Sequence, residues 1–565
     1  MLIPAANNFP AAYHSLLQYV CVSVNACFAA SCVHLELLRR RCNWYLSSSE
    51  RYVVSMNVPV YDTIIVGAGP AGCVLASRLT ETPEHRVLLV DAGADFGSDP
   101  KDWPAELRDT SGPAIDTFSW GYTHAPDERG RSIALPRGRV FGGCSSVNSC
   151  IWLHGSRMDY DHWSVLGNPG WDFENLAPYF DRAERDPLRT DSSCDDGLVN
   201  IWRVPDDQLS PIDRALFNSA DELGIEQSAN LNGSSIQIPS IGKTPKNIRF
   251  GNRLNAALTY LEVARSRQNL TLYPNTLIDR VLFHETTATG IVTADGTVLH
   301  GRAIILCSGA YGSPAILLRS GIGPAEQLRS LRITVVVDLP GVGENLMDHP
   351  YLAPYTSPHT SFTIAHHAEP GRKVFIQTMI KARSRQVSDE IDLHIYPREL
   401  PDPQSDRWLL QFGISLQYSR SRGRVRLISA DPNAPLDIDH RYFANLTDLE
   451  ALTDGVELVS RLTRTQPLAD LLESPDERDR QPDDRATTKA MIRAEVGTTF
   501  HPSSSCMMGP ATDPLAVVDS EGRVHGTAQL RVVDASIFPT GPRCNLHAPT
   551  VAVAERMADL IRGEK

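Results

Sequence analysis

Three glycines and one carboxylate near position 70 declare the first chemistry in this chain. Gly67, Gly69 and Gly72 make a G-x-G-x-x-G turn, and Asp91 follows nineteen residues after the last of them. Such a turn at a helix start lets backbone N–H groups approach a pyrophosphate. An acid at that remove accepts hydrogen bonds from ribose hydroxyls and repels a 2′-phosphate. The pattern is a dinucleotide site, and alone it does not separate FAD from NAD. Two histidines stand far down the chain, His501 in Thr498–Pro502 and His547 in Cys544–Thr550. An imidazole with an ordinary pKa of about 6.5 is suited to take a proton from an alcohol at neutral pH. The chain has 17 histidines, however, so type alone does not single these two out.

The elements that must position these residues are legible nearby. Thr63–Val66 is a β-branched apolar run that suits a strand buried on both faces. Ala71, Val74, Leu75 and Leu79 recur at helical spacing, and Arg86–Val90 reads as the next strand. Gly142-Gly143-Cys144-Ser145-Ser146 packs small residues and hydroxyls into one loop, the composition needed where backbone wraps a rigid ligand, and Asn148 follows it. Asn269–Tyr273 and Leu277–Phe283 read as strands, and Ala288–Val298 as a hairpin turning at Asp295-Gly296. Pro211–Leu223 is an expected amphipathic helix. Ile391–Tyr396, Leu409–Tyr418 and Gly423–Leu427 alternate like strands of one large sheet. Leu530–Val533 runs into Asp534, and Thr550 is the expected N-cap of a last helix with Val553, Met557, Leu560 and Ile561 on its buried stripe.

Length and composition bound the answer. A chain of 565 residues, 42% hydrophobic and 21% charged, needs more than one core. Its net charge of −13 argues against nucleic acid or an anionic membrane as partner. Eleven cysteines show no C-x-x-C pair or metal-like spacing; four of them fall within the first 42 residues. The rest read as reduced thiols, and the expected location is intracellular, although Asn232, Asn269 and Asn445 each open a glycosylation sequon. Residues 1–56 are expected to be a disordered extension. Its apolar stretch is interrupted by Asn25, His34 and Glu36, which makes a poor membrane span, with secretion or weak anchoring left open.

The block Pro136–Trp163 resembles the first signature of the glucose–methanol–choline (GMC) flavoprotein oxidoreductases. Gly138-Arg139, Gly142-Gly143, Ser145, Val147-Asn148, Trp152, Gly155 and Asp161 fall where that signature expects them. Phe141 replaces a usual aliphatic residue, and Cys144 a usual Gly, Ser or Thr. Gly309-Ala310-Tyr311-Gly312-Ser313-Pro314 through Gly323 matches the second signature. The resemblance runs from Tyr61 to about Ile561 and implies an α/β (α+β overall) protein. A Rossmann-like FAD-binding domain would draw on residues 57–165, 251–355 and 501–565. A discontinuous substrate-binding lobe on a mainly antiparallel sheet would draw on 166–250 and 356–500.

The resemblance places Gly67, Gly69, Pro70, Ala71, Gly72, Asp91, Ala92, Arg139, Gly142, Gly143, Asn148, Cys150, Ile151, Asp534, Ala535, His547, Pro549 and Thr550 on the FAD. The residue matching Val281 meets adenine through its backbone in the family. The loop around GGCSSVNSC is similar to the choline oxidase branch, where a histidine in place of Val147 links covalently to FAD, so non-covalent FAD is expected here. His501 falls on the family's catalytic histidine and His547 on its partner position. His349 is expected to be structural. The implied reaction is oxidation of an alcohol by hydride transfer to flavin N5, with His501 as general base and O2 or another acceptor taking the electrons. The alternative is an FAD-containing lyase of the hydroxynitrile lyase kind, without net redox chemistry. No metal is implied, the oligomeric state is open, and nothing identifies the alcohol.

Overall fold

The structure, a computed structural model, describes residues 60–127, 129–189, 196–233, 238–356, 374–388, 390–401, 408–472 and 484–563. The expectation for residues 1–56 lies outside them. Two sheets, each with its own apolar core, organise the described chain.

The first sheet grows from the glycine turn. Strand β1 (Tyr61–Val66) leads through that turn into helix α1 (Pro70–Leu79), and β2 (Val87–Val90) returns parallel to β1. Strands β3 (Leu270–Tyr273), β4 (Ile278–His284), β5 (Thr287–Thr293) and β6 (Val298–Leu306) follow, and β7 (Leu530–Val532) completes the set. The order is β3-β2-β1-β6-β5-β4, with β7 also paired to β6. The four pairs β3–β2, β2–β1, β1–β6 and β6–β7 are parallel, and β6–β5 and β5–β4 are antiparallel. Strand β6 therefore does two jobs: its first residues pair with β5, and Ile304–Leu306 lie between β1 and β7.

Helix α2 (Gly309–Arg319) follows β6, and α3 (His547–Gly563) packs against α1. Glu555 of α3 is fully buried and pairs with Arg78 of α1 at 2.9 Å, while Tyr260 donates to it at 2.7 Å. A buried carboxylate is costly to leave unpaired, so this pair fixes where the tail of the chain docks.

The second sheet runs Gly497–Thr498, Pro350–Leu352, Trp408–Leu416, Leu393–Pro401, Thr378–Ala382, Ser240–Lys243, Glu226–Ser228, antiparallel but for its last pair. Helices Pro211–Glu222 and Leu446–Thr463 pack on it, burying Leu216 and Leu452 with Ile395 and Ile414. Ser210 and Asn445 cap these helices.

Two expectations are corrected. The strand expected at Gly423–Leu427 is Arg424–Leu427, but it pairs with Leu436–Asp439 in a separate two-stranded ribbon rather than in the large sheet. Nor does Thr550 cap the last helix, which already begins at His547. Pro549 is tolerated there because the first helical turn needs no N–H from it, and the Thr550 hydroxyl donates back to Leu546 O at 2.6 Å.

The three sequon asparagines use their side chains internally. Asn269 donates to the carbonyls of Thr80, Thr82 and His85, Asn232 to that of Trp152, and Asn445 accepts from Thr447. The six described cysteines are all unpaired, and no described helix is long and apolar enough to cross a membrane.

Candidate active site

One cavity of about 600 Å³ joins the glycine turns to both C-terminal histidines, within the size range of cofactor and ligand sites. At one end the turn of residues 67–72 and the loop of 142–146 meet back to back. Gly142 donates to Ala68 O at 2.7 Å, and a Cβ on Gly143 would lie 2.8 Å from Gly69 Cα. Gly69 is the N-cap of α1 with no side-chain cap, so the helix's first N–H groups remain free for a ligand. A Cβ on Gly72 would stand 1.9 Å from Gly67 O, which makes that glycine the one that lets α1 close onto β1.

Asp91 ends β2 and takes the N–H groups of Ala68 at 2.7 Å and Gly93 at 2.6 Å. Burial pushes its carboxyl up to about 6, against the pull of those bonds. Asp534 follows β7 and accepts from Gly309 N, Ser313 Oγ and Ser536 N at 2.8, 2.6 and 2.7 Å. Arg139 stacks on Trp120 at 5.0 Å.

Of the residues expected on the cofactor, Gly67, Gly69, Pro70, Ala71, Asp91, Ala92, Arg139, Gly143, Asn148, Ile151, Asp534, Ala535, His547 and Thr550 line this cavity. Gly72, Gly142, Cys150, Val281 and Pro549 stand behind its wall. Val281 lies within β4 and gives its N–H to Ser320 Oγ at 2.8 Å, and the wall at that level is Thr276, Leu277 and Ile278 instead. The cradle fits a dinucleotide: open glycine backbone, an uncapped helix N-terminus, and two carboxylates braced by backbone.

At the other end His501 and His547 share the wall with Asn545. The Asn545 amide lies 3.1 Å from His501 Nε2, and His501 Nδ1 lies 3.0 Å from His349 Nδ1. With His501 protonated at Nδ1 and donating to His349, its Nε2 lone pair faces Asn545 and the cavity. Asp348 holds the His501 backbone N–H at 2.9 Å, and it accepts from the hydroxyls of Tyr442 and Thr498. Tyr442 in turn meets His440, and His440 meets Tyr311 on the cavity wall.

Burial drives the His501 pKa well below its ordinary value, with His349 and Arg137 adding to the effect, so the imidazole is neutral at pH 7. His349 is pushed down to about 4 and His547 to about 3, in both cases by burial. His547 opens α3, lies edge-on to Trp152 at 4.9 Å, and has no hydrogen-bond partner for Nδ1 among the described residues.

Sequence reading gave no role to Asn545 and treated His349 as structural. His349 stays off the cavity wall, yet it sits directly against the expected base. Position was the available signal, since Asn545 is two residues from His547 and His349 adjoins Asp348. The far wall of the cavity is Tyr351, Phe375, Ile376, His394, Tyr396, Arg398 and Gln417, all drawn from the second sheet and its edge.

A dinucleotide cradle opening onto paired imidazoles is the arrangement of a cofactor-dependent oxidoreductase, and comparison with known proteins agrees. Profiles described as GMC oxidoreductase match residues 61–351 and 419–554. Mitochondrial choline dehydrogenase of Mus musculus is 34% identical over 91% of each chain. Oxygen-dependent choline dehydrogenase of Burkholderia thailandensis is 35% identical, over 90% of this chain and 95% of that one. Among solved structures, pyridoxine 4-oxidase from Mesorbium loti superposes with a TM-score of 0.80 at 28% identity, over 89% of this chain and 99% of the other. The chain belongs to the GMC oxidoreductase family, FAD-binding enzymes that act on CH–OH donors.

Proposed function

We propose that the protein oxidises a primary or secondary alcohol to the carbonyl with non-covalent FAD, His501 serving as the general base. The observation that carries this reading is the shared cavity: a buried, neutral imidazole stands at the end opposite the glycine cradle. When bound, FAD supplies the hydride acceptor at N5 and passes the electron pair to O2 or another acceptor. Gly67, Gly69 and the N-terminus of α1 would hold its pyrophosphate, Asp91 a ribose, and Asp534 with Gly309 the ribityl–phosphate portion.

The chain's own residues supply the proton chemistry. The alcohol O–H is held at His501 Nε2, where the lone pair accepts its proton, and the α-hydrogen leaves carbon as hydride once that proton begins to move. His349 fixes the tautomer of His501 from behind. Asn545 and His547 orient the substrate hydroxyl, so that the C–H bond is aligned rather than free to rotate. The N-terminal end of α3, beginning at His547, offers positive potential beside the reacting centre. Val147 lines the loop where a covalent flavin link would need a nucleophilic side chain, and valine has none.

The test is anaerobic mixing with an alcohol panel while flavin absorbance is followed. Substrate should bleach the flavin, and His501→Ala should keep FAD bound but slow bleaching by roughly 10²–10⁴-fold. Turnover of a cyanohydrin with no bleaching would favour the lyase instead. Unchanged reduction in the variant would remove His501 from the mechanism.

A further inference from the structure

We propose that Lys246, with Arg253 beside it, is a buried cationic platform behind the loop of residues 147–151. Its charge stabilises the negative charge that the flavin ring takes up and so raises the flavin's reduction potential. The inference rests on the oxidoreductase reading above and adds to it two residues that stand outside the cavity wall.

The chain around this loop runs from the dinucleotide cradle to the histidines. Gly143, just before it, abuts Gly69, and Trp152, just past it, lies edge-on to His547. Val147, Asn148, Ser149 and Ile151 line the cavity in between, where a ring joined to the cradle has to lie if it is to meet the imidazoles. The loop's carbonyls are drawn outward. Val147 O takes the Ala114 N–H and Cys150 O the Asn247 N–H, both at 2.9 Å, and Ser149 O takes Lys246 Nζ at 3.0 Å. Cys150 is held at a φ of +60°, a costly conformation for a residue other than glycine, which its surroundings maintain.

Lys246 is 1% exposed and Arg253 fully buried. Arg253 donates to the carbonyls of Leu107, Asp109 and Gly112 and reaches Asn148 Oδ1 and Cys150 Sγ, each at 3.5 Å. Among the described residues neither cation has a carboxylate within ion-pair distance. Asp213, of helix Pro211–Glu222, acts on Lys246 only at longer range, and the hydroxyls of Ser210 and Thr378 hold it. A buried charge without a carboxylate partner is costly, and the loop in front of these two faces the place where negative charge develops on reduction. Charge near the ring is one of the levers a protein has on a flavin's electronics. Burial holds the Lys246 amine down to about 8; Arg253 adds to the fall, while the Cys150 thiol and Asp213 oppose it. The amine is therefore mostly protonated at pH 7, and a negative ring would hold that proton more tightly.

Sulfite is the probe, because it gives its lone pair to flavin N5 and leaves the ring negative with no alcohol present. The holoenzyme is titrated with sulfite at pH 7 and pH 10, and its midpoint potential is measured against reference dyes across the same range. Lys246→Gln keeps a donor for Ser149 O but removes the charge, whereas Lys246→Met removes both. At pH 7 both variants should bind sulfite roughly 10-fold more weakly than wild type, and their potentials should be lower. At pH 10 the gap should close, because the wild-type amine has then lost its proton. The wild-type potential should fall more steeply above about pH 8 than below it, since reduction there takes up one further proton. The variants should lack that bend. Flavin absorbance checks that each is loaded, and if neither holds flavin, the bend in the wild type decides alone. Wild-type sulfite affinity and potential in Lys246→Gln would overturn the proposal and leave Lys246 a hydrogen-bond donor to the loop. A wild-type potential without the bend overturns it too. If sulfite affinity and potential shift as expected while no alcohol bleaches the flavin, the alcohol-oxidation reading falls and the charge assignment stands.

Discussion

Replacing Asp348 by asparagine and by alanine separates a negative charge from a hydrogen-bond acceptor behind the proposed base. In the native protein one carboxylate oxygen takes the His501 N–H at 2.9 Å, and the other takes the hydroxyls of Tyr442, at 2.6 Å, and Thr498. A hydroxyl can reverse its role, whereas a backbone N–H cannot. In Asp348→Asn the new amide would keep its carbonyl on the His501 N–H and turn its NH2 toward the two hydroxyls. Tyr442 could then donate to His440 Nδ1, already 2.8 Å away. In Asp348→Ala the hydroxyls keep other neighbours, since Thr498 Oγ1 also accepts from Phe500 N at 2.7 Å. The His501 N–H is the group left without its acceptor, at a cost of about 1–3 kcal/mol. Phe500 adds to the effect, because its φ of +63° is strained for a bulky residue and is held only by its surroundings. With Asp348 gone it can relax and carry His501 with it, and a displacement of about 1 Å costs on the order of 100-fold in rate. Stopped-flow flavin reduction at equal FAD content should therefore fall less than about tenfold in Asp348→Asn and on the order of 100-fold in Asp348→Ala. An alanine variant as fast as wild type would refute the positioning argument. An asparagine variant as slow as the alanine one would show that the charge matters instead.

Other predictions follow from single contacts. Gly72→Ala drives a Cβ to 1.9 Å from Gly67 O, so α1 cannot close on β1; the purified variant should lose its bound flavin, read from the visible absorbance. His547 has a folded pKa of about 3, against about 6.5 in the unfolded chain. Its stabilising contribution is complete above pH 6.5 and is lost as pH falls toward 3, amounting in that window to roughly 4–5 kcal/mol. Melting of the apoprotein from pH 7 to pH 4 should accordingly show a flatter acid decline in His547→Asn than in wild type. Acid precipitation should leave FAD in the supernatant and a colourless pellet; a yellow pellet would show a covalent bond and contradict the part assigned to Val147.

Much of the first sheet was legible because its signals are local. The glycine spacing, the apolar runs of β1 and β2 and the Asp295-Gly296 turn each depend on residues within one element or its neighbour. Arg424–Leu427 was misassigned because alternation shows that a strand exists but not which edge it joins. Thr550 was misread as a cap because a threonine beside an apolar run has two local uses, and back-bonding to Leu546 prevailed. The site was legible where motifs bear on it and opaque where long-range packing builds it. Nothing in the sequence brings His349 to His501 across 152 positions, or lays Arg398 over Tyr351 and Phe375.

The way β6 is shared has a consequence for how the polypeptide matures. Its last residues are zipped on one side to a strand made near the start of synthesis, and on the other to one made almost at the end. The opening βαβ unit must wait on the ribosome with Ile304–Leu306 only half covered until residues 530–532 emerge. Pairings of such long range form slowly and leave apolar edges open in the meantime. A product truncated before residue 530 would thus be an aggregation-prone nascent fragment rather than a weakened enzyme, and quality control would meet it before any substrate did.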